Sequence, residues 1–167
     1  MHGPAPAWRP MAVSDLTAVM TIQESVHSLL PEREVVFAER LALFPEGAWM
    51  LTDAEERLGY AIAYPYAADF VPKIDAVIGA LPEPATNLYI HDVALLPVAR
   101  GRGAGRVIVE RLFDVARSAA MTSATLVSVY DSAPFWSAMG FVEISPSPAI
   151  SATIAGYGGA RFMRRQV

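Results

Sequence analysis

The chain contains no cysteine, which excludes disulfides, thiolate metal sites and a cysteine nucleophile. Histidine is scarce as well. His2, His27 and His91 lie far apart in sequence and none has HExxH-type spacing, so no metal site is expected. Positive charge is in deficit: 13 Lys and Arg stand against 17 Asp and Glu, for a formal net charge of -4. That balance argues against nucleic acid as the main partner. No apolar run approaches the ~20 residues that a membrane-spanning helix needs. The opening MHGPAPAWRP lacks the apolar stretch of a signal peptide, so a cytoplasmic protein with no membrane partner is the expectation.

What is present is apolar surface. Hydrophobic residues make up 53% of the 167 positions and charged residues only 18%. A buried core follows and disorder does not. No internal repeat or linker interrupts the chain, and its length suits one domain over residues 1–167.

The pattern predicts a short strand over residues 8–13, then an N-cap at Ser14 and a helix reaching Leu30. Pro31 breaks that helix, and a second is expected over 32–43. Residues 48–52 and 58–64 read as a hairpin around a charged turn. The stretch 65–87, with four prolines and a helical turn expected around 74–81, is long for a connection; such connections are often functional. Residues 88–96 form a nearly uninterrupted apolar strand, broken only by His91 and Asp92, and are expected to be central. A helix over 107–120 presents Ile108, Leu112, Val115, Ala116 and Ala119 as its apolar stripe. A strand (124–129), a helix ending at Gly140 (133–139) and late strands (141–144, 161–165) follow, with a turn-rich stretch at 145–159. This order gives an α/β fold: a mixed sheet with helices on both faces.

Between the central strand and the long helix lies Arg100-Gly101-Arg102-Gly103-Ala104-Gly105. The first N–H groups of a helix lack internal partners and the helix dipole is positive there. Glycines let a ligand's oxygens approach the backbone, and Arg100, Arg102 and Arg106 add full charges, which points to a pyrophosphate. A glycine-rich turn ahead of a helix is also often only a turn, and spacing alone leaves both readings open. No Lys-Ser/Thr follows, so it is not a P-loop; GxGxG is not the dinucleotide fingerprint GxGxxG.

The segment resembles motif A of the GCN5-related N-acetyltransferases, the GNAT superfamily, whose core reads Arg/Gln-x-x-Gly-x-Gly/Ala. Arg100, Gly103 and Gly105 fill those three places. HDVALLP is similar to the family's central strand, and SAPFWSAMGF (132–141) to its motif B, an aromatic pair followed by x-x-x-Gly-Phe. WRPMAVSDL and the order of elements also fit, so the likeness covers most of the chain.

The resemblance implies a mostly antiparallel mixed sheet and acetyl-CoA as co-substrate, with no metal. It implies direct transfer of the acetyl group to a primary amine of a small-molecule or amino-acid-like acceptor, with no covalent enzyme intermediate. Coenzyme A would be held by Val93, Ala94 and Leu95 through their backbone, by Arg100, Gly101, Arg102, Gly103, Ala104, Gly105 and Arg106 at the pyrophosphate, and by Phe135 and Trp136. An N–H of the strand would polarise the thioester carbonyl. By alternation Tyr89, His91 and Val93 share one face of the strand and Asp92 the other. Relatives often place a base at positions like 89 or 91, so Tyr89 and His91 are catalytic candidates, His91 foremost. Trp136 stands where a proton-donating tyrosine is usual, and indole is no useful acid. Tyr130 or Ser132 are the substitutes. The same departure supports an alternative, a non-catalytic acyl-CoA-binding or sensing domain. Because many relatives form homodimers, a homodimer is a further expectation.

Overall fold

The structure, a computed structural model, describes residues 5–167; Met1 to Pro4, with His2, lie outside the described residues. The strands are β1 (Ala7–Pro10), β2 (Ala48–Asp53), β3 (Glu56–Pro65), β4 (Asn87–Leu95), β5 (Ser123–Ser128), β6 (Val142–Glu143) and β7 (Arg161–Gln166). The helices are α1 (Leu16–Val26), α2 (Glu34–Leu43), α3 (Ala104–Ser118), α4 (Ala133–Ala138) and α5 (Pro148–Ile154). Among the described residues seven strands form one sheet in the order β1-β2-β3-β4-β5-β7-β6. β4 and β5 are its parallel pair; all other neighbours run antiparallel. Among the described residues no helix is long and apolar enough to cross a membrane.

Alternating strand residues feed two cores. On one face α3 and α4 supply Ile108, Val109, Leu112, Phe113, Ala116 and Trp136 against Leu88, Ile90 and Leu126. On the other, α1, α2 and α5 supply Leu16, Val19, Ile22, Phe37, Leu41 and Ile150 against Tyr60, Ile62, Tyr64 and Tyr89. The mixed sheet covered on both faces is therefore as expected. The α3 stripe is shifted from its expected composition: Val109 and Phe113 are buried, whereas Ala119 lies past the helix end and is exposed.

Several boundaries differ, each for a local reason. A 3-10 turn over Val13–Asp15 precedes α1, and Ser14 does not cap it. Buried Asp15 does that work, accepting the Ala12 N–H at 2.8 Å while Arg9 grips both its oxygens. α1 stops at Val26 rather than Leu30, because Gln23 turns to the main chain of Glu32, donating to its carbonyl (2.9 Å) and accepting its N–H (2.5 Å). The helical turn expected at 74–81 is absent. There the N–H groups of Asp75, Ile78 and Gly79 donate to the Glu32 and Glu39 carboxylates, so the backbone is satisfied without a helix. The turn-rich stretch at 145–159 contains α5, which the prolines disguised. Pro148 occupies its first turn, where a missing N–H costs nothing, and Ser147 Oγ caps it by accepting the Ile150 N–H.

Candidate active site

β4 is clamped along half its length and open along the other half. Asn87 to Ile90 pair with Ser123 to Leu126 of β5. Asn87 locks this end: its amide donates to Thr125 Oγ1 and accepts from Ser123 Oγ, both at 2.8 Å and buried. Beyond Ile90 the β5 ladder ends, while pairing with β3 continues to Leu95. Leu96 donates its N–H to Leu58. Since hydrogen-bonded pairs recur every second residue in an antiparallel ladder, Asp92 and Ala94 also aim their polar main-chain atoms at β3. Val93 and Leu95 aim theirs into the gap. Ala94, grouped with them on sequence, drops out of the set; its side chain is fully buried in the opposite core.

The gap is a cleft of about 540 Å³, bordered by Val93, Leu95, Arg100, Gly105, Tyr130, Ser132, Phe135 and Trp136 among others. It thus gathers residues from the central strand, the glycine turn and the helix after β5. At its upper end the turn has Gly101 at φ +72° and Gly103 at φ +82°, conformations that favour glycine. A Cβ at either position would meet nothing within 4 Å, so the turn faces open space. Gly105 is different: a Cβ there would come within 3.2 Å of the Phe135 ring, so this glycine lets the helix and the cleft wall close together. The backbone ladder of α3 begins with Val107 donating to Gly103. The N–H groups just before it are the ones a helix start leaves for a ligand. Arg100 Nε donates to the Leu95 carbonyl at 2.9 Å, tying the turn to the strand. Exposed Arg102 and partly buried Ala104 lie toward another hollow beside β1, and Arg106 is exposed. At the base of that hollow Trp8 Nε1 donates to the Ala104 carbonyl at 2.9 Å, fixing the start of α3.

A β-bulge reshapes the polar part of β4. Ile62 pairs with Asp92 and Ala63 with Ile90, so His91 is an extra residue without an opposite number. Strict alternation therefore fails: His91 and Asp92 reach the same face, and the expectation that Asp92 points away is corrected. Each anchors a network there. His91 Nε2 meets Glu32 Oε1 at 2.8 Å and its Nδ1 meets the Tyr64 hydroxyl at 3.0 Å. Asp92 Oδ1 meets His27 Nε2 at 2.7 Å, and its Oδ2 accepts from the Tyr60 hydroxyl at 2.5 Å. The His27 ring stacks on Tyr130, with centroids 5.4 Å apart and planes 22° from parallel.

These groups perturb one another. Burial disfavours the charged form of His27, yet Asp92 and, more weakly, Glu32 outweigh it, and the pKa is raised above 6.5. Burial raises the Glu32 carboxyl, but the neighbouring His91 and the Asp75 N–H bring it below its ordinary value overall. Tyr89, Tyr60 and Tyr64 are all pushed up, chiefly by burial, which makes each of them a poor proton source.

A second, smaller cavity of about 40 Å³ adjoins the first. His27, His91, Asp92, Val127 and Val129 border both. Gln23, Leu30, Glu32, Ile74, Tyr89 and Tyr157 complete its walls, and Tyr157 is fastened by its hydroxyl to the Pro72 carbonyl at 2.8 Å. Tyr89 thus lies at the small cavity rather than the main cleft, whereas Tyr130 and Ser132 lie on the main cleft. Ser132 Oγ is 3.0 Å from Ser128 Oγ, and Tyr130 is 45% exposed. Trp136 is 7% exposed, with its ring packed edge-on to Phe135 and Phe141. Sequence reasoning missed the partnership of His27, Asp92 and Tyr60 and the anchoring role of Glu32. The sequence placed the segment around Glu32 and Glu34 beside the acceptor and allowed Asp92 to orient a neighbouring group, but named no partner for either. Among the described residues no group of three or more His, Asp or Glu is placed to hold a metal ion.

The comparisons agree with the fold. The model of the Acetyltransferase (GNAT) family matches residues 15–141. No curated protein matches the chain. Among solved structures, Ard1 from Thermoplasma volcanium is similar at TM-score 0.75 and 20% identity, covering 98% of this chain and 99% of that one. Rv2747 from Mycobacterium tuberculosis, solved with CoA, is similar at TM-score 0.72 and 18% identity, covering 97% and 99%. Naa50 of Arabidopsis thaliana, solved with a bisubstrate analogue of CoA, is similar at TM-score 0.72 and 13% identity, covering 98% and 100%. With its split central strand, glycine turn and family-model match over most of its length, the chain belongs to the GNAT acetyltransferase family.

Proposed function

We propose that this chain, acting as a single domain over residues 1–167, transfers the acetyl group of acetyl-CoA directly to a primary amine of a small-molecule or amino-acid-like acceptor. The observation that carries the reading is the open edge of β4, which runs from the β5 ladder's end into the glycine turn. In this reading the N–H groups of residues 101–106 receive the pyrophosphate, with Arg100, Arg102 and Arg106 contributing charge. The pantetheine arm enters the gap and pairs with Val93 and Leu95, as a strand would. One of their N–H groups polarises the thioester carbonyl as negative charge builds on its oxygen. Phe135 and Trp136 wall the channel. Tyr130 or Ser132 stands near the departing sulfur, where a proton is of modest value because a thiol's pKa is about 8.5.

The acceptor enters the adjoining cavity, bordered by Glu32, His91 and Asp92. Its volume of about 40 Å³ and its Tyr157 wall favour a small amine over a threaded peptide. The acidic groups suit an alkylammonium. Tyr89 and His91 shape this cavity.

The experiment is thiol release from acetyl-CoA across an amine panel that includes amino acids and short peptides. Small primary amines are expected to stimulate release and peptides to do so poorly; release with peptides alone would reverse the acceptor assignment. Trp136, in the place of the usual motif B tyrosine, favours a second reading as an acyl-CoA sensor. In that case calorimetry shows CoA binding while no amine stimulates release.

A further inference from the structure

We propose that His27, held by Asp92, takes the proton from the acceptor amine, and that His91 is a positioning residue. This rests on the transfer reading given above and names the base within it.

The two histidines differ in what their ring nitrogens have left to offer. His91 is occupied at both: Nε2 by Glu32 and Nδ1 by the Tyr64 hydroxyl. His27 is occupied at one. Its Nε2 is bound to Asp92 Oδ1, and among the described residues no protein group hydrogen-bonds its Nδ1. The carboxylate selects the tautomer. With the proton on Nε2 facing Asp92, the Nδ1 lone pair is the ring's free acceptor, and the imidazolium that forms on protonation stays beside a negative charge. Asp92 is itself fixed by the Tyr60 hydroxyl, so the carboxylate cannot swing away without breaking a partly buried bond. Placement agrees: His27 closes the C-terminus of α1 and borders both the cleft proposed for the thioester and the cavity proposed for the amine. The charged groups that set its titration are Asp92 from β4, Glu32 from the loop after α1 and, opposing them more weakly, Arg100; His91 from β4, Tyr60 from β3 and Tyr130 after β5 are the other titratable groups around the pair.

The step balances without any further reactant. The alkylammonium gives one proton to Nδ1 of neutral His27, leaving a nucleophilic amine and an imidazolium paired with Asp92. The nitrogen lone pair attacks the thioester carbonyl and a C–N bond forms. On collapse the C–S bond breaks and sulfur leaves with its electron pair. The nitrogen sheds a second proton, which the thiolate takes up, through Tyr130 or Ser132. His27 then returns its proton to water. One alkylammonium and one thioester give one amide, one thiol and one released proton.

The test is the pH dependence of turnover with a primary alkylamine, whose own pKa of about 10 lies well above that of imidazole. For the native chain the rate rises with pH through an inflection above 6.5, the ordinary value for His27. In His27→Gln that inflection is lost and kcat falls about 100-fold, the usual contribution of a general base, while CoA affinity by calorimetry stays within about twofold. In Asp92→Asn the inflection moves to lower pH, because the charge that stabilises the imidazolium is gone. In His91→Asn the inflection persists although the rate drops. A His27→Gln profile superimposable on the native one overturns the proposal, as does an inflection that follows His91. Absence of thiol release by the native protein with every amine would instead overturn the transfer reading, and this proposal with it.

Discussion

The two halves of β4 have the same covalent character and opposite uses. From Asn87 to Ile90 the strand is paired on both edges, and its side chains fill the cores of both faces. From His91 to Leu95 it keeps only the β3 edge, carries an extra residue, and turns the main chain of Val93 and Leu95 to a cleft. The closed half behaves as scaffold because its main chain is paired on both edges and the buried Asn87, Thr125 and Ser123 side chains satisfy one another. The open half is free to bind because the β5 ladder ends where the two strands part. A strand edge that is unpaired yet shielded from other chains by the cleft walls is a receptor for an extended ligand with amide groups.

That contrast can be broken at either half. The largest effect is expected at the turn the open half leads into. Gly103→Glu puts a side chain on φ +82° backbone and an anion at a helix start that should hold an anion. CoA binding is expected to fall more than about 100-fold by calorimetry, and unchanged affinity would show that the pyrophosphate is held elsewhere. Val93→Pro comes next. It deletes an N–H that faces the gap but leaves the β3 ladder its bonds. A drop in kcat of about 100-fold with near-native CoA affinity is expected, as for loss of one oxyanion donor. A native rate would mean that this N–H does no catalytic work. In the closed half, Asn87→Ala strands Thr125 and Ser123 in a buried position. It should destabilise the fold by about 2 kcal/mol in urea unfolding, with CoA affinity of the folded protein retained.

The smallest effect concerns Asp15, remote from the cleft, whose carboxyl is lowered to about 2, first by its hydrogen bonds from Arg9. A depressed carboxyl stabilises the fold above its unfolded pKa of about 4 and loses that contribution as pH falls through the folded value. Native stability should therefore decline between about pH 4 and 2. Asp15→Asn should show a shallower decline over that window; identical acid profiles would mean that the Arg9 pair contributes nothing.

Much of this was legible before any coordinates. The strand, glycine turn and helix at residues 88–120 are adjacent in sequence, and each local signal there agrees with the fold. What failed was what alternation alone cannot foresee. An extra residue at His91 brings Asp92 to the His91 side, reversing the expected geometry. The stretch 145–159 read as turn-rich, yet Pro148 starts α5 there. His27 carried no signal because its partner, Asp92, is 65 residues away.

The amino-acid sequence by itself determined the order of elements apart from α5, the two-sided core and the position of the glycine turn. Hydrophobic periodicity, glycine and proline act over a few neighbouring residues, so these features are written locally. Only the tertiary structure decided which histidine keeps a free nitrogen, which main-chain groups of β4 face the gap, and which side chains the carboxylates at the cavity hold. Those outcomes depend on strand register and on hydrogen bonds between distant segments, and a one-residue bulge is enough to exchange them.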